Sequence, residues 1–217
     1  MLINWHGQSC FKIQGDKATV ITDPFNNEHG LKVPRLSGDI VTSSHDHGDH
    51  SNVKAVKGMG ETEPFIVDGP GEYEVKNVFI YGISSFHDDK HGTERGSNVI
   101  YRFEIDGISL AHLGDLGHIL ESQQLERLEG VDILMIPVGG VYTIDGKQAV
   151  KIISQVEPRI VIPMHYHIPG LKVSKKIDTL DSFCKEIGVC PPNKESKFKI
   201  TKKDLPQEDL QVVLLEP

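Results

Sequence analysis

Apolar runs in this chain end, one after another, on a side chain able to hold a metal ion. Ala18-Thr-Val-Ile-Thr22 leads into Asp23, and Asp39-Ile-Val-Thr-Ser-Ser44 leads into His45-Asp46-His47-Gly48-Asp49-His50. His87 follows the run 78–86, Asp115 follows 108–114, and His165 follows 159–164. Short Val/Ile/Leu-rich runs with turn residues at their ends read as strands. Ligands repeatedly placed where strands end make one rim of a sheet structure into a site.

The segment 45–50 carries the densest chemistry. His-x-His lets two side chains of one extended stretch reach a single ion, and the Asp49-His50 pair, where the backbone turns, can point at a second. One ion needs three or four ligands, so the surplus argues for two. A His-rich loop can be mere solvated surface. Here an apolar strand delivers the cluster, and Ser51-Asn52 stands where it can cap a following helix.

A chain of 217 residues suits one domain, or two very small ones, with a sizeable two-layer core. No apolar run approaches the roughly 18 residues of a membrane span, and Met1-Leu-Ile-Asn-Trp5 lacks the basic-then-apolar pattern of a signal peptide. Cys10, Cys184 and Cys190 are odd in number with no Cys-x-x-Cys, which points to a reducing, cytoplasmic compartment. Cys10 lies in an apolar run and reads as a buried, inert thiol. The net charge of −8 comes with no basic stripe and disfavours nucleic acid as a partner, leaving a small-molecule substrate and no membrane.

Strands are expected over 2–6, 10–14, 18–22, 39–44, 64–67, 78–83, 98–105, 108–112, 131–136 and 159–163, and helices over 51–57, 121–129, 145–156 and 174–187. In the last helix Val173, Ile177, Leu180, Phe183, Cys184 and Ile187 recur at helical spacing and read as core packing. Pro191-Pro192 ends it. Two further short strands, 197–201 and 211–215, then close a sheet edge or face a second copy in a homo-oligomer.

Trp5-x-Gly7-x-Ser9-Cys-Phe11, Asp23-Pro24, the His-x-His-x-Asp-His cluster, Gly114-Asp115, Pro137-x-Gly139-Gly140-x-Tyr142-Thr143 and Ile162-Pro163-Met164-His165-Tyr166 occur in an order and spacing that resembles the metallo-β-lactamase superfamily of metal-dependent hydrolases. The likeness is nearest the branch containing L-ascorbate 6-phosphate lactonase and spans roughly residues 1 to 170. It implies an αββα sandwich, read here as a single domain over 1–217 with 191–217 as a strand-rich extension, and a dinuclear site at one edge. It further implies His45, His47 and His87 on one ion, Asp49, His50 and His165 on the other, Asp115 bridging them, and Asp23 orienting a ligand imidazole. Two positions depart from the pattern: Gln8, where relatives often carry histidine, and Leu116, where Gly-Asp-Thr is common.

Two divalent ions can share a water and lower its pKa to near neutrality, making a hydroxide nucleophile. Zinc suits this donor set, and manganese and iron use the same donors. Asp49 or a second water is the expected proton shuttle, and Tyr142, on the glycine-rich loop 137–143, is either a donor to the developing oxyanion or simple loop packing. The substrate expected is a small anionic ester, a lactone or a sugar phosphate ester. A phosphodiesterase or nuclease of the same superfamily and a non-catalytic metal-binding protein are the rival readings. His112 and His118 flank Asp115 and compete with His87 for its role, while His29, His91 and His167 read as surface or rim. Arg95 could hold a phosphate bidentately, but a solvated loop charge is the simpler reading, and Lys32, Arg35 and Lys90 receive no role.

Overall fold

The computed structural model describes residues 1–217. The first part of the chain forms β1 (Leu2–Trp5), β2 (Phe11–Gln14), β3 (Thr19–Thr22), β4 (Ser37–Gly38), β5 (Ile40–Thr42), β6 (Lys57–Gly58) and β7 (Phe65–Val67). It continues with β8 (Gly71–Val75), β9 (Val78–Phe86), β10 (Ser97–Ile105), β11 (Ile108–His112), α1 (Ser122–Leu128), β12 (Ile133–Pro137), α2 (Gly146–Val156), β13 (Ile160–Met164), α3 (Leu180–Ile187), β14 (Phe198–Lys199) and β15 (Gln211–Val212). One main sheet has the order β14-β1-β2-β3-β5-β7 and the second β15-β13-β12-β11-β10-β9-β8, while β4 and β6 pair parallel in a separate two-stranded sheet.

The sheets stack because each strand alternates its side chains between two faces. Val20 and Ile40 join the main core, which holds Ile80, Phe103, Leu110, Ile133 and Ile160, while Ile21 and Val41 face a second cluster with Cys10, Phe25, Leu36 and Val56. α1 and α2 contact the second sheet, with α3 against α2. Asp145 begins α2 with a reciprocal cap, its side chain accepting from Gln148 N at 2.8 Å. The two tail strands form in shortened versions and extend both sheets, β14 antiparallel to β1 and β15 parallel to β13. No helix is long and apolar enough to cross a membrane.

Four expectations need correction. The helix over 51–57 is only a 3₁₀ turn, Val53–Ala55, followed by β6. The caps are diverted, since Ser51 Oγ donates to His47 O and Asn52 Nδ2 to Phe25 O, and two valines before Gly58 leave too short a run to sustain a helix. Loop residues therefore cover that face of the first sheet. The last helix starts at Leu180 rather than 174, because the preceding segment spends its backbone on other loops: Asp178 N donates to Gly139 O and Lys175 N to the Tyr142 hydroxyl. β8 has no counterpart among the expected strands. It pairs with β9 through a two-residue turn in which Lys76 and Asn77 both adopt positive φ, an arrangement usually signalled by Asn-Gly. Lastly, Cys184 and Cys190 form a disulfide across a Cα separation of 5.5 Å, replacing the free-thiol reading. Gly188, left-handed at the end of α3, turns the chain back and brings Cys190 beside Cys184. Cys10 stays a buried free thiol, its ionisation pushed up by burial.

Candidate metal centre

β3 and β5 run parallel and end side by side, so Asp23 meets the loop that follows β5. Its buried carboxylate accepts from Ser44 N at 2.8 Å and Ser44 Oγ at 2.6 Å, and faces His50 Nδ1 at 2.9 Å. That contact makes Nδ1 the hydrogen-bonding nitrogen of His50 and turns Nε2 toward the cluster. Ser43 Oγ lies 3.1 Å from both the His45 and His50 carbonyls and closes the loop. Val99 N donates to Ser44 O, and the Tyr101 hydroxyl donates to Ser43 O, which ties the loop to the second sheet.

His87 leaves β9 on a differently built loop. The Asp88 carboxylate accepts the backbone N–H groups of Lys90, Gly92, Glu94 and Arg95 at 2.8, 2.9, 3.0 and 2.8 Å. Burial alone would raise the Asp88 pKa, but these donors outweigh it and hold the group at about 2. Asp115 follows β11, its N–H on Asn98 Oδ1 at 2.9 Å and its Oδ1 accepting from Ser9 Oγ at 3.2 Å. Gly114 has φ +56°, and a side chain there would meet Asn98 and Ser44. His165 ends β13 with φ 51°, and Gly139 passes so close that a Cβ would lie 2.1 Å from the His165 carbonyl oxygen.

These strand ends converge. Asp115 Oδ2 lies 3.3 Å from His50 Nε2, 3.3 Å from His165 Nε2 and 3.5 Å from His87 Nε2. Ligand atoms of His45, His47 and His87 lie within 4.8 Å of one another, as do those of His45, His50 and Asp115, and those of Asp49, His50 and His165. The side chains singled out in sequence thus come together around one carboxylate.

A family model for the beta-lactamase superfamily domain matches residues 2–165. The chain is 30% identical over 189 residues to a UPF0173 metal-dependent hydrolase of Thermococcus onnurineus, covering 76% of this chain and 84% of that one. A counterpart from Thermoplasma volcanium is 31% identical over 187 residues, 76% of this chain and 83% of its own. A solved structure from Thermotoga maritima, described as a Zn-dependent hydrolase of the metallo-β-lactamase superfamily, shares 34% identity, covers 99% of this chain and 98% of its own, and has a TM-score of 0.77. The chain belongs to the UPF0173 metal-dependent hydrolases of the metallo-β-lactamase superfamily.

In this hydrolase the charges of the cluster divide. Burial lowers the pKa of His45 to about 3 and also lowers that of His87. Burial opposes a charge on His50 too, yet the Asp115 and Asp49 carboxylates raise its pKa well above the ordinary value. Asp115 is held well below the carboxylate range, against its burial, by His165 and His50, and Asp49 is lowered against its burial chiefly by His50. Nε2 of His45 and of His50 is buried without a hydrogen-bond partner. Such atoms are rare because they are costly, and a cation satisfies them.

The flanking histidines are occupied elsewhere. His112 Nε2 donates to Ser9 O at 2.8 Å, and its Nδ1 accepts from Gly114 N at 3.2 Å. His118 Nε2 accepts from Phe86 N at 3.2 Å, and its Nδ1 donates to Ile119 O at 2.8 Å. Leu116 is fully buried, its carbonyl accepting from Ile144 N at 2.9 Å.

The centre opens into a cavity of about 380 Å³ that Tyr142, Gln8, His29 and Arg95 help to line. Gln8 Nε2 donates to Asp49 Oδ2 at 3.2 Å, and His29 Nε2 lies 3.6 Å from the same oxygen. Two features escaped the sequence reading, the Asp88 amide cradle and the Ser9 contact, and Arg95, read there more simply as a solvated loop charge, lines the cavity.

Proposed function

We propose that His45, His47 and His87 hold one divalent ion, that Asp49, His50 and His165 hold a second, and that Asp115 bridges them to hydrolyse a small anionic ester. The supporting observation is the pair of triads flanking Asp115 Oδ2, with partnerless nitrogens on His45 and His50. Zinc fits the His/Asp donors and is the ion for which the Thermotoga maritima relative is described. When bound, such ions act as Lewis acids and bring the pKa of a coordinated water toward 7.

The chain's own groups do the rest. Asp49, kept ionised by His50 and hydrogen-bonded by Gln8, is the group to which we assign proton transfer during turnover. Tyr142 accepts from Lys175 N at 2.9 Å, which orients its oxygen and leaves its own O–H free to donate into the cavity. Asp23 holds His50 in its ligating tautomer. A lactone or sugar phosphate ester ranks ahead of a phosphodiester, since the cavity is small and the chain has an overall charge of −8.

Elemental analysis of metal-supplemented protein should find two equivalents per chain; a single equivalent would remove the two-ion assignment. On that material, kcat/KM for lactones and sugar phosphate esters should exceed that for phosphodiesters, RNA and β-lactams. Efficient RNA or DNA cleavage, abolished by Asp49→Ala while lactones stay inert, would replace this reading with a nuclease.

A further inference from the structure

Arg95 is the only lysine or arginine lining the metal cavity, and it has no anionic partner. Arg102, Arg127 and Arg159 lie against Glu104, Glu72 and Asp132 respectively. Asp88 stands near Arg95 in sequence but accepts its backbone N–H rather than its guanidinium. The guanidinium makes one hydrogen bond, from Nη2 to the Val141 carbonyl at 3.0 Å.

Both ends of this side chain are held by built structure. Asp88 gathers four amides into a closed loop and so fixes the backbone that carries Arg95. At the other end Val141, beside the cavity-lining Tyr142, has φ 63°, a left-handed conformation that a β-branched residue adopts only when its surroundings impose it. The strained residue supplies the carbonyl that receives Nη2. Strain of this kind collects where a group must be held ready for a ligand. With one N–H engaged, a guanidinium keeps four donors, enough for a bidentate grip on an oxyanion.

We propose that Arg95 is the anion-binding subsite of this cavity, gripping a carboxylate or phosphate group of the substrate while the ester lies at the His/Asp cluster. The assignment rests on reading the cavity as the active site, and it narrows that reading. Substrates without an anionic group are disfavoured because they leave the guanidinium without a counter-charge. Arginine stays protonated at any working pH, so the grip does not depend on titration.

Calorimetric titration of the metal-loaded protein with inorganic phosphate and, separately, with acetate tests the subsite. The wild type should bind at least one, and the anion whose binding depends on Arg95 names the group. Arg95→Gln should weaken that binding about tenfold or more at unchanged metal content and thermal midpoint, and should flatten its dependence on ionic strength. Arg95→Lys keeps the charge but loses the fork, and should fall between the two. Equal affinity in wild type and Arg95→Gln for both anions overturns the subsite, and so does a wild type that binds neither. Loss of metal or of thermal midpoint in both variants, alongside weaker binding, also overturns it and makes Arg95 a structural residue. Should Arg95-dependent binding hold while every ester in the activity panel stays inert, the subsite stands and the ester-hydrolysis reading falls.

Discussion

The two loops that bring histidines from β5 and β9 to the metal centre are held by buried carboxylates used in opposite ways. The loop after β5 is organised from outside: Asp23 lies 21 residues from Ser44 and 27 from His50, and grips a backbone amide, a hydroxyl and an imidazole. The loop after β9 is organised from within. Asp88 is next to His87 and binds only main-chain amides, the farthest seven residues away. Long-range bonds of the first kind set a ligand's ring and tautomer, whereas local bonds of the second kind set a backbone path. The first loop depends on the strands being paired, while the second can keep its shape as a local unit.

The largest effect should come from the group that joins both loops. Asp115→Asn is expected to keep the fold but lower kcat/KM by roughly a hundredfold or more, because a neutral amide no longer offsets the positive charge of bound metal. Near-native turnover in that variant would remove Asp115 from the centre. Asp23→Asn should act through His50 and weaken metal binding by roughly 10- to 100-fold. Competition with a chelator measures this, and an unchanged affinity would mean that β3 contributes nothing to the centre beyond packing.

Proton linkage sharpens the contrast next. The Asp115 and Asp49 carboxylates raise the His50 pKa well above its ordinary value while burial lowers those of His45 and His87, so an incoming ion competes with a proton at His50 more than at the other two. Metal affinity should therefore fall about tenfold per pH unit below the His50 pKa, and calorimetry in buffers of different ionisation enthalpy should register the released proton. The sign for stability is opposite to that for metal binding. The raised His50 pKa stabilises the metal-free fold fully below the unfolded histidine pKa, and that contribution is lost as pH rises through the folded value.

Asp88→Asn probes the other loop. An amide side chain keeps one acceptor oxygen where the carboxylate had two, so hydrogen exchange at some of residues 90, 92, 94 and 95 should speed up by roughly tenfold, with Ser44 unaffected. In the wild type the Asp88 carboxyl should titrate near 2, its contribution present above the unfolded aspartate range and lost as pH falls toward that value. Parallel acceleration at Ser44 would show that the two loops are a single unit. The smallest change is expected of Tyr142→Phe, a drop of a few-fold in kcat at constant metal content, reflecting one donor lost from a partly solvated wall.

Much of the candidate centre was legible because the side chains that could hold metal sit at the carboxyl ends of apolar runs. Val/Ile-rich periodicity marks a strand whatever packs on it, and the residue that ends the strand inherits its place on the rim. The helix expected over 145–156 forms as α2, where Asp145 and Gln148, three residues apart, make its cap. Segments without such local determinants were misread. Residues 51–57 and 174–179 have helix-compatible composition, but their polar groups find a local partner in the His47 carbonyl and tertiary partners in Phe25, Gly139 and Tyr142, and those partners outweigh a weak propensity.

The sequence by itself determined the strand ends and the clustering of histidines with carboxylates, because each follows from periodicity and residue type over a few positions; the family likeness rested instead on the order and spacing of motifs across residues 1–170. Only the tertiary structure decided that Lys76-Asn77 makes a hairpin, that Cys190 folds back onto Cys184, that His112 and His118 are occupied by backbone groups, and that Arg95 turns into the cavity. Each of these depends on main-chain direction. Main-chain donors and acceptors are the same at nearly every residue, so the partners they select become visible only when the chain is folded.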